Sequence, residues 1–326
     1  MNAIPTDPGI LSAQMAALMA MVEAETGPLP DPTLLPPAEG RAQSARSNQR
    51  WNVNLPEMAS EQDLWIAADP ALGSARCRMR VLTPENAEDG VVVFVHGGGF
   101  AFCSPETHER CARVLAIETR MTVAMPDYRL APENPFPAGL LDTVACLRAI
   151  LDGAIRGLDS RSVFMSGDSA GANLALAAML HEDAAGRSLP DAGLLFYGNY
   201  AADLAGPSYT RFENGPGLTT AKMRRYWDWY AGTRTISTDP LACPLAASDA
   251  ALSRLPPLYL MAAGVDPLFS DTATLHARLK AMGRDDAFDI VAGVTHGFLQ
   301  NTNELEAARG ALKTAGAAAR AFKTRP

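Results

Sequence analysis

From about Arg76 to the C-terminus, short apolar runs alternate with longer stretches whose apolar side chains recur at helical spacing. The runs are Val91 to Val95, Thr122 to Met125, Ser162 to Ser166, Ala192 to Tyr197, Leu258 to Ala262 and Phe288 to Val291. Each is almost uniformly apolar, as expected of strands covered on both faces. The helical stretches lie at about Thr107 to Arg120, Pro137 to Ile155, Ala170 to His181, Asp271 to Met282 and Glu304 to Phe322. Strands and helices in this rhythm make crossover units, so the chain predicts an α/β fold with a mostly parallel central sheet flanked by helices.

Two regions break the rhythm. The first carries a Met- and Ala-rich helical pattern from Leu11 to Glu23, with Leu11, Met15, Leu18, Met19 and Val22 on one face. A passage through Pro28, Pro30, Pro32, Pro36 and Pro37 follows it and reads as an appended segment. That apolar face has three uses open to it: docking on a core, covering a pocket as a methionine-lined lid, or touching a lipid surface. The second region, Asn199 to Leu245, shows no good strand, but Thr220 can cap a helix bearing Met223, Tyr226, Trp227 and Tyr230, a stripe more often used for packing than for binding. The expected organisation is a cap segment over 1–55 and a catalytic domain over 56–326, with 199–245 as a helical insertion that contributes to the cap.

Composition narrows the class. The chain has 326 residues, of which 48% are hydrophobic and 20% charged, enough for one large core with insertions. Its net charge of -8 is spread without basic blocks, which argues against nucleic acid as a partner and for a neutral organic ligand. Cys77, Cys103, Cys111, Cys146 and Cys243 are odd in number and widely spaced, and read as buried apolar residues in a reducing compartment. The first basic residue is Arg41, and Pro5, Asp7 and Pro8 lie near the start, so no secretory signal is expected and the mature chain begins near Met1. Met15 to Val22 is too short for a bilayer, which takes about 20 residues. The expectation is a cytoplasmic protein, monomer or homodimer, without integral membrane association.

The candidate chemistry lies at strand ends. Gly167-Asp168-Ser169-Ala170-Gly171 follows the Ser162 to Ser166 run and opens a helical pattern, the strand, turn and helix setting that GxSxG requires. Side chains two residues either side of the serine would collide in so sharp a turn, and the helix start favours developing negative charge. Upstream, Val91 to Val95 runs into His96-Gly97-Gly98-Gly99-Phe100. Gly98, Gly99 and Ala170 are candidate oxyanion donors, with Gly97 able to share that duty. The loop has neither GxGxxG nor a GK[ST] ending to cradle a phosphate, and no cofactor is called for.

The acid and base come later. Asp266 follows the Leu258 to Ala262 run in Gly264-Val265-Asp266-Pro267-Leu268, and His296 follows Phe288 to Val291 in Gly293-Val294-Thr295-His296-Gly297-Phe298. Both stand just beyond strand C-terminal ends, on the sheet edge that carries Ser169. A serine hydroxyl needs a neutral imidazole to take its proton, and a carboxylate on the other ring nitrogen fixes the tautomer. Among competitors, Asp271 reads as a helix N-terminal residue, and Asp285, Asp286 and Asp289 fall before or within the last strand. His96 precedes the serine and reads as loop-orienting, while His108, His181 and His276 fall in helical patterns without metal-ligand spacing.

Together HGGGF, Asp127-Tyr128-Arg129-Leu130-Ala131-Pro132-Glu133, GDSAGAN, DPL and HGF resemble the bacterial hormone-sensitive-lipase-like esterases, family IV of the α/β-hydrolase superfamily. The resemblance runs from about Arg76 to the C-terminus. It implies a cap built from the N-terminal segment, and hydrolysis of esters with short or medium acyl chains through an acyl-enzyme. It also implies that the DYRLAPE element and Phe136-Pro137-Ala138 shape a loop beside the site; Asp127, Arg129 and Glu133 read as ion-pair formers. The chain departs from the family at Phe269-Ser270-Asp271 after DPL, and at Tyr197-Gly198 where a Tyr-Pro pair is usual. Hydrolysis of an amide, lactone or carbamate uses the same triad, and a non-catalytic small-molecule receptor is a further alternative on this scaffold.

Overall fold

The computed structural model describes residues 9–27 and 29–324. The expectation about the start of the chain, with Pro5, Asp7 and Pro8, and Pro28 of the proline-rich passage lie outside the described residues.

Among the described residues, eight strands form one sheet: β1 (Ser60–Ile66), β2 (Cys77–Thr83), β3 (Val91–Val95), β4 (Thr122–Asp127), β5 (Val163–Asp168), β6 (Ala192–Phe196), β7 (Leu258–Val265) and β8 (Ala287–Thr295). Their spatial order is β1-β2-β4-β3-β5-β6-β7-β8. From β4 to β8 all neighbours are parallel, whereas β2 runs antiparallel to both β1 and β4. The chain reverses its direction of travel across the sheet between β3 and β5, which opens a crevice at their C-terminal ends.

Side chains alternate faces along each strand, and here both faces are buried. Val91, Val93 and Val95 join the core on one side with Met165 and Leu260, while Val92 and Phe94 join the other with Phe164 and Met261. Helices α4 (Ala138–Leu151), α5 (Ala170–Ala184) and α9 (Phe269–Ala281) cover the first side. On the second lie α3 (Glu109–Thr119), α10 (Glu306–Lys323) and α1 (Ala13–Thr26).

The appended regions resolve into definite elements. Helix α1 docks on the core: Met15 and Leu18 are buried, with Leu11, Met19 and Val22 packed beside them. The alternative of a methionine-lined lid fails, because no α1 residue lines the cavity described below. That place belongs to α2 (Pro37–Asn48), which starts at the last proline of the appended passage; Pro37 is its first residue, where the missing N–H costs nothing. The insertion holds α6 (Pro207–Arg211) and α7 (Thr220–Ala231). The cap of α7 is Thr219 rather than Thr220, its hydroxyl accepting the Lys222 N–H at 3.2 Å. Residues 249–253 form the short α8 (Asp249–Ser253). No helix among the described residues is long and apolar enough to cross a membrane.

Candidate active site

Ser169 stands at the junction of β5 and α5 with φ 55° and ψ -124°, a strained conformation for a residue with a side chain. The strain persists because the turn has no room to relax. A Cβ on Gly167 would lie 2.5 Å from the Gly171 carbonyl carbon, and one on Gly171 would strike the Val95 carbonyl oxygen. The Ser169 N–H donates to the Phe196 carbonyl at 2.9 Å, fixing the loop to the adjoining strand. The hydroxyl is thereby lifted off the sheet edge.

His296 and Asp266 meet it from two other loops. The Ser169 Oγ and His296 Nε2 are 2.8 Å apart, and His296 Nδ1 is 2.7 Å from Asp266 Oδ2. A carboxylate only accepts, so Nδ1 carries the hydrogen and Nε2 keeps a lone pair for the serine hydroxyl. Asp266 is fully buried, and its other oxygen accepts the Leu268 N–H at 2.9 Å, which locks the carboxylate plane. Tyr197 packs edge-on against the imidazole, with ring centroids 4.9 Å apart.

The glycine loop crosses in front. Among the described residues, no protein acceptor takes the Gly98 or Gly99 N–H, and Ala170 is the first residue of α5, where N–H groups lack intrahelical partners. These three amides are free to face an oxyanion. Gly97 is a correction to the expected set: its N–H donates to Asp168 Oδ1 at 2.8 Å and so is already engaged. Gly99 lies under the ring of Tyr226, so close that a Cβ there would overlap the ring.

Asp168, the variable position of GxSxG, was not singled out by sequence reasoning, yet it ties the glycine loop to the nucleophile turn. Its Oδ1 lies 3.4 Å from His108 Nε2. Burial works to raise the Asp168 pKa, but His108 and the hydrogen bonds from it and the Gly97 amide outweigh that and lower it. His108 is therefore a buried structural partner inside the site. His96 orients the loop as expected, stacking on Tyr128 at 4.4 Å while Tyr128 donates to its carbonyl. Burial drives the His96 pKa down to about 3, so the ring is neutral at ordinary pH.

The remaining candidates have other partners. Asp271 lies in the first turn of α9, two residues after the helix begins, and accepts the Tyr200 and Ala201 N–H groups at 2.7 and 3.1 Å. Asp286 pairs with Arg284, and Asp289 accepts the Tyr259 hydroxyl. His181 pairs with Glu182, and His276 packs on Phe288. Asp127, Arg129 and Glu133 pair with Arg78, Asp142 and Arg41. All five cysteines are unpaired, and burial pushes the Cys103 thiol up to about 11.

A cavity of about 250 Å³ lies over Ser169 and His296. One part of its lining comes from α7 and the residues before it, Leu218, Met223 and Tyr226; another comes from α2 and the following turn, Asn48 and Trp51. The aromatic stripe of α7 is thus divided. Met223 and Tyr226 line the cavity, while Tyr230 stacks on Phe100 with centroids 3.7 Å apart.

The chain is similar to known hydrolases. Residues 92–300 match the profile of a family described as alpha/beta hydrolase fold. Carboxylesterase NlhH of Mycobacterium tuberculosis is 34% identical over 260 residues, covering 78% of this chain and 81% of that protein. Esterase LipI of the same organism is 33% identical over 66% of this chain and 68% of its own length. Among solved structures, the ester hydrolase EH1AB1 from the metagenome of Lake Arreo, in complex with a bipyridine phosphonate derivative, aligns with a TM-score of 0.89 at 30% identity, over 97% of this chain and all (100%) of that one. A hyperthermophilic esterase from Pyrobaculum calidifontis aligns with a TM-score of 0.86 at 28% identity, again over 97% and 100%.

Proposed function

The chain belongs to the α/β-hydrolase family, in its hormone-sensitive-lipase-like esterase branch, and is a serine carboxylesterase; we propose that Ser169, His296 and Asp266 carry its reaction on small neutral esters. The observation that carries the assignment is the unbroken row of hydrogen bonds from Ser169 through His296 to Asp266.

Ser169 Oγ attacks the ester carbonyl as His296 Nε2 takes its proton, and the carbonyl π pair moves onto oxygen. The Gly98, Gly99 and Ala170 amides meet that charge, each such donor being worth roughly 2.7–4 kcal/mol. Asp266 stabilises the imidazolium without taking its proton. Collapse breaks the bond to the alcohol oxygen, which leaves with the proton from Nε2, and an acyl-enzyme remains. Water then repeats the sequence, with His296 first as base and then as acid, and frees the acid product.

A cavity of about 250 Å³ falls below the span of roughly 300–1,000 Å³ usual for drug-sized ligands, which supports a short or medium acyl chain. The unpaired cysteines support a reducing, cytoplasmic setting. On this reading the cap is made by α2 within 1–55 and by α7 within 199–245, because these two helices supply cavity walls.

A fluorophosphonate probe should add to wild type and not to Ser169→Ala, and p-nitrophenyl esters of increasing acyl length should show a fall in kcat/KM beyond the length the cavity holds. Folded wild-type protein that takes no adduct and cleaves no ester in that series overturns the reading.

A further inference from the structure

One cavity wall carries polar side chains that the reaction does not use. The turn after His296 is a short 3-10 helix, Phe298–Gln300, and successive side chains of such a turn leave it about a third of a circle apart. Phe298 and Leu299 go into the apolar core, and Gln300 lines the cavity. Gln300 is 3% exposed, and neither its Nε2 nor its Oε1 has a hydrogen-bond partner among the described residues. An amide so placed is a costly thing to bury without a ligand or an ordered water. Asn48, Ser44 and Asn301 line the same cavity. The wall is continuous, because Asn303 Nδ2 reaches the Trp51 and Val53 carbonyls at 3.4 and 3.2 Å, joining the chain after Gln300 to the chain after α2.

We propose that Gln300, with Asn48 in the same cavity lining, forms a polar subsite that selects esters bearing a neutral hydrogen-bonding group, a hydroxyl or carboxamide, on the acyl or the alcohol portion. The inference rests on the esterase reading and adds the substrate class. The chemistry of the wall favours a neutral group that both donates and accepts. Gln300 offers one donor group and one acceptor, and among the described residues the cavity lining contains no lysine or arginine to bind an anion. Asp168 in that lining would repel one. A substrate with only alkyl substituents leaves the amide unpaired, so discrimination arises from the loss of a buried hydrogen bond rather than from fit. Leu218 and Met223 remain for the apolar remainder of the substrate.

The test uses two isosteric pairs in which a hydroxyl replaces a methyl: butanediol monoacetate against pentyl acetate for the alcohol portion, and ethyl β-hydroxybutyrate against ethyl isovalerate for the acyl portion. Hydrolysis is followed by titration of the acid released, and the readout is the ratio of kcat/KM within each pair. Wild type should favour the hydroxylated member of at least one pair by about tenfold, the effect of one buried hydrogen bond. In Gln300→Leu that ratio should fall to near unity. A loss of folding or of catalytic geometry would lower both members together and leave the ratio unmoved. If the leucine variant does not fold, Gln300→Met, of similar shape, takes its place. Ratios near unity in both pairs for wild type overturn the inference, as does a preference that survives the substitution; both results show a water-satisfied glutamine. Absence of Ser169-dependent turnover of all four esters overturns the esterase reading itself, and is told apart because the alkyl members would also be inert.

Discussion

The sheet edge and the proposed cap, α2 and α7, meet over the same cavity but are held by different forces. At the sheet edge, position comes from backbone contact. Gly167 and Gly171 admit no Cβ, Ser169 is strained, and the triad bonds span 2.7–2.8 Å between loops fixed at strand ends. In the cap, position comes from long charged side chains. Arg225 of α7 reaches Thr33 at 2.6 Å and pairs with Asp31, while Arg41 of α2 donates to the Ala101 and Ala131 carbonyls at 2.7 Å. Close-packed backbone has one arrangement, whereas partly exposed ion pairs contribute little and rearrange cheaply. Chemistry and selectivity are therefore separable in this enzyme. Substitutions at the edge should read out in kcat, and substitutions in the cap in KM.

The largest expected effect breaks the edge without moving it. Asp266→Asn keeps volume and hydrogen-bonding capacity but offers the imidazole the wrong partner and tautomer, and kcat should fall by about 10⁴ with little change in KM. Steady-state kinetics on an alkyl ester, with thermal unfolding as the fold control, checks it. A loss below tenfold would mean that His296 is oriented by something else.

The second tests how the insertion is anchored. Asp271 holds the start of the 199–245 insertion to α9 by accepting the Tyr200 and Ala201 amides, and it is buried. Burial raises its pKa from 3.8 to about 7, against the two backbone hydrogen bonds that pull the other way. The folded protein therefore keeps a proton that the unfolded chain gives up. Stability from this group is present below pH about 4, falls as pH rises to about 7, and is flat above. Asp271→Asn removes that dependence. Relative to the variant, wild type should lose on the order of 4 kcal/mol between those limits, one pKa unit being about 1.36 kcal/mol. Denaturant unfolding of both proteins across that range measures the difference; parallel curves would show that Asp271 is ionised in the folded state throughout.

Sequence alone made the edge legible and the cap only partly so, for a physical reason. Uniformly apolar strands such as Val91–Val95 and the glycine-flanked turn are local requirements, written in adjacent residues. The edge strand β1 was missed because one side faces solvent: Glu61 and Asp63 pair across it with Arg80 and Arg78, and its burial pattern shows no apolar run. Strand β8 is longer than its apolar run, since Gly293 at φ 70° and a register shift opposite Ala263 and Val265 interrupt the pattern. Helix α2 was hidden by prolines that in fact start it. Gln300 and Asp168 carried no signal at all, because a partner or its absence across the fold is not a property of neighbours in the chain.

Whether the proposed cap acts on binding alone can be read at the ion pair that joins its two parts. Arg225 and Asp31 join α7 to the segment before α2, with side chains 28% and 20% exposed. Burial works to raise the Asp31 pKa, but hydrogen bonds from Thr33 and the charges of Lys222 and Arg225 lower it, so the pair is ionised at neutral pH. Arg225→Ala and Asp31→Ala should each raise KM by about two- to fivefold and leave kcat within about twofold, since an ion pair of this exposure is worth roughly 0.2–1 kcal/mol. The double variant should cost no more than either single one, giving a coupling of up to about 1 kcal/mol in kcat/KM. Molar salt, with a Debye length of about 3 Å, should erase most of that coupling while leaving the Asp266→Asn deficit untouched. A fall in kcat at constant KM would instead mean that the cap holds the Gly99 loop through Tyr226, and that edge and cap form one mechanical unit.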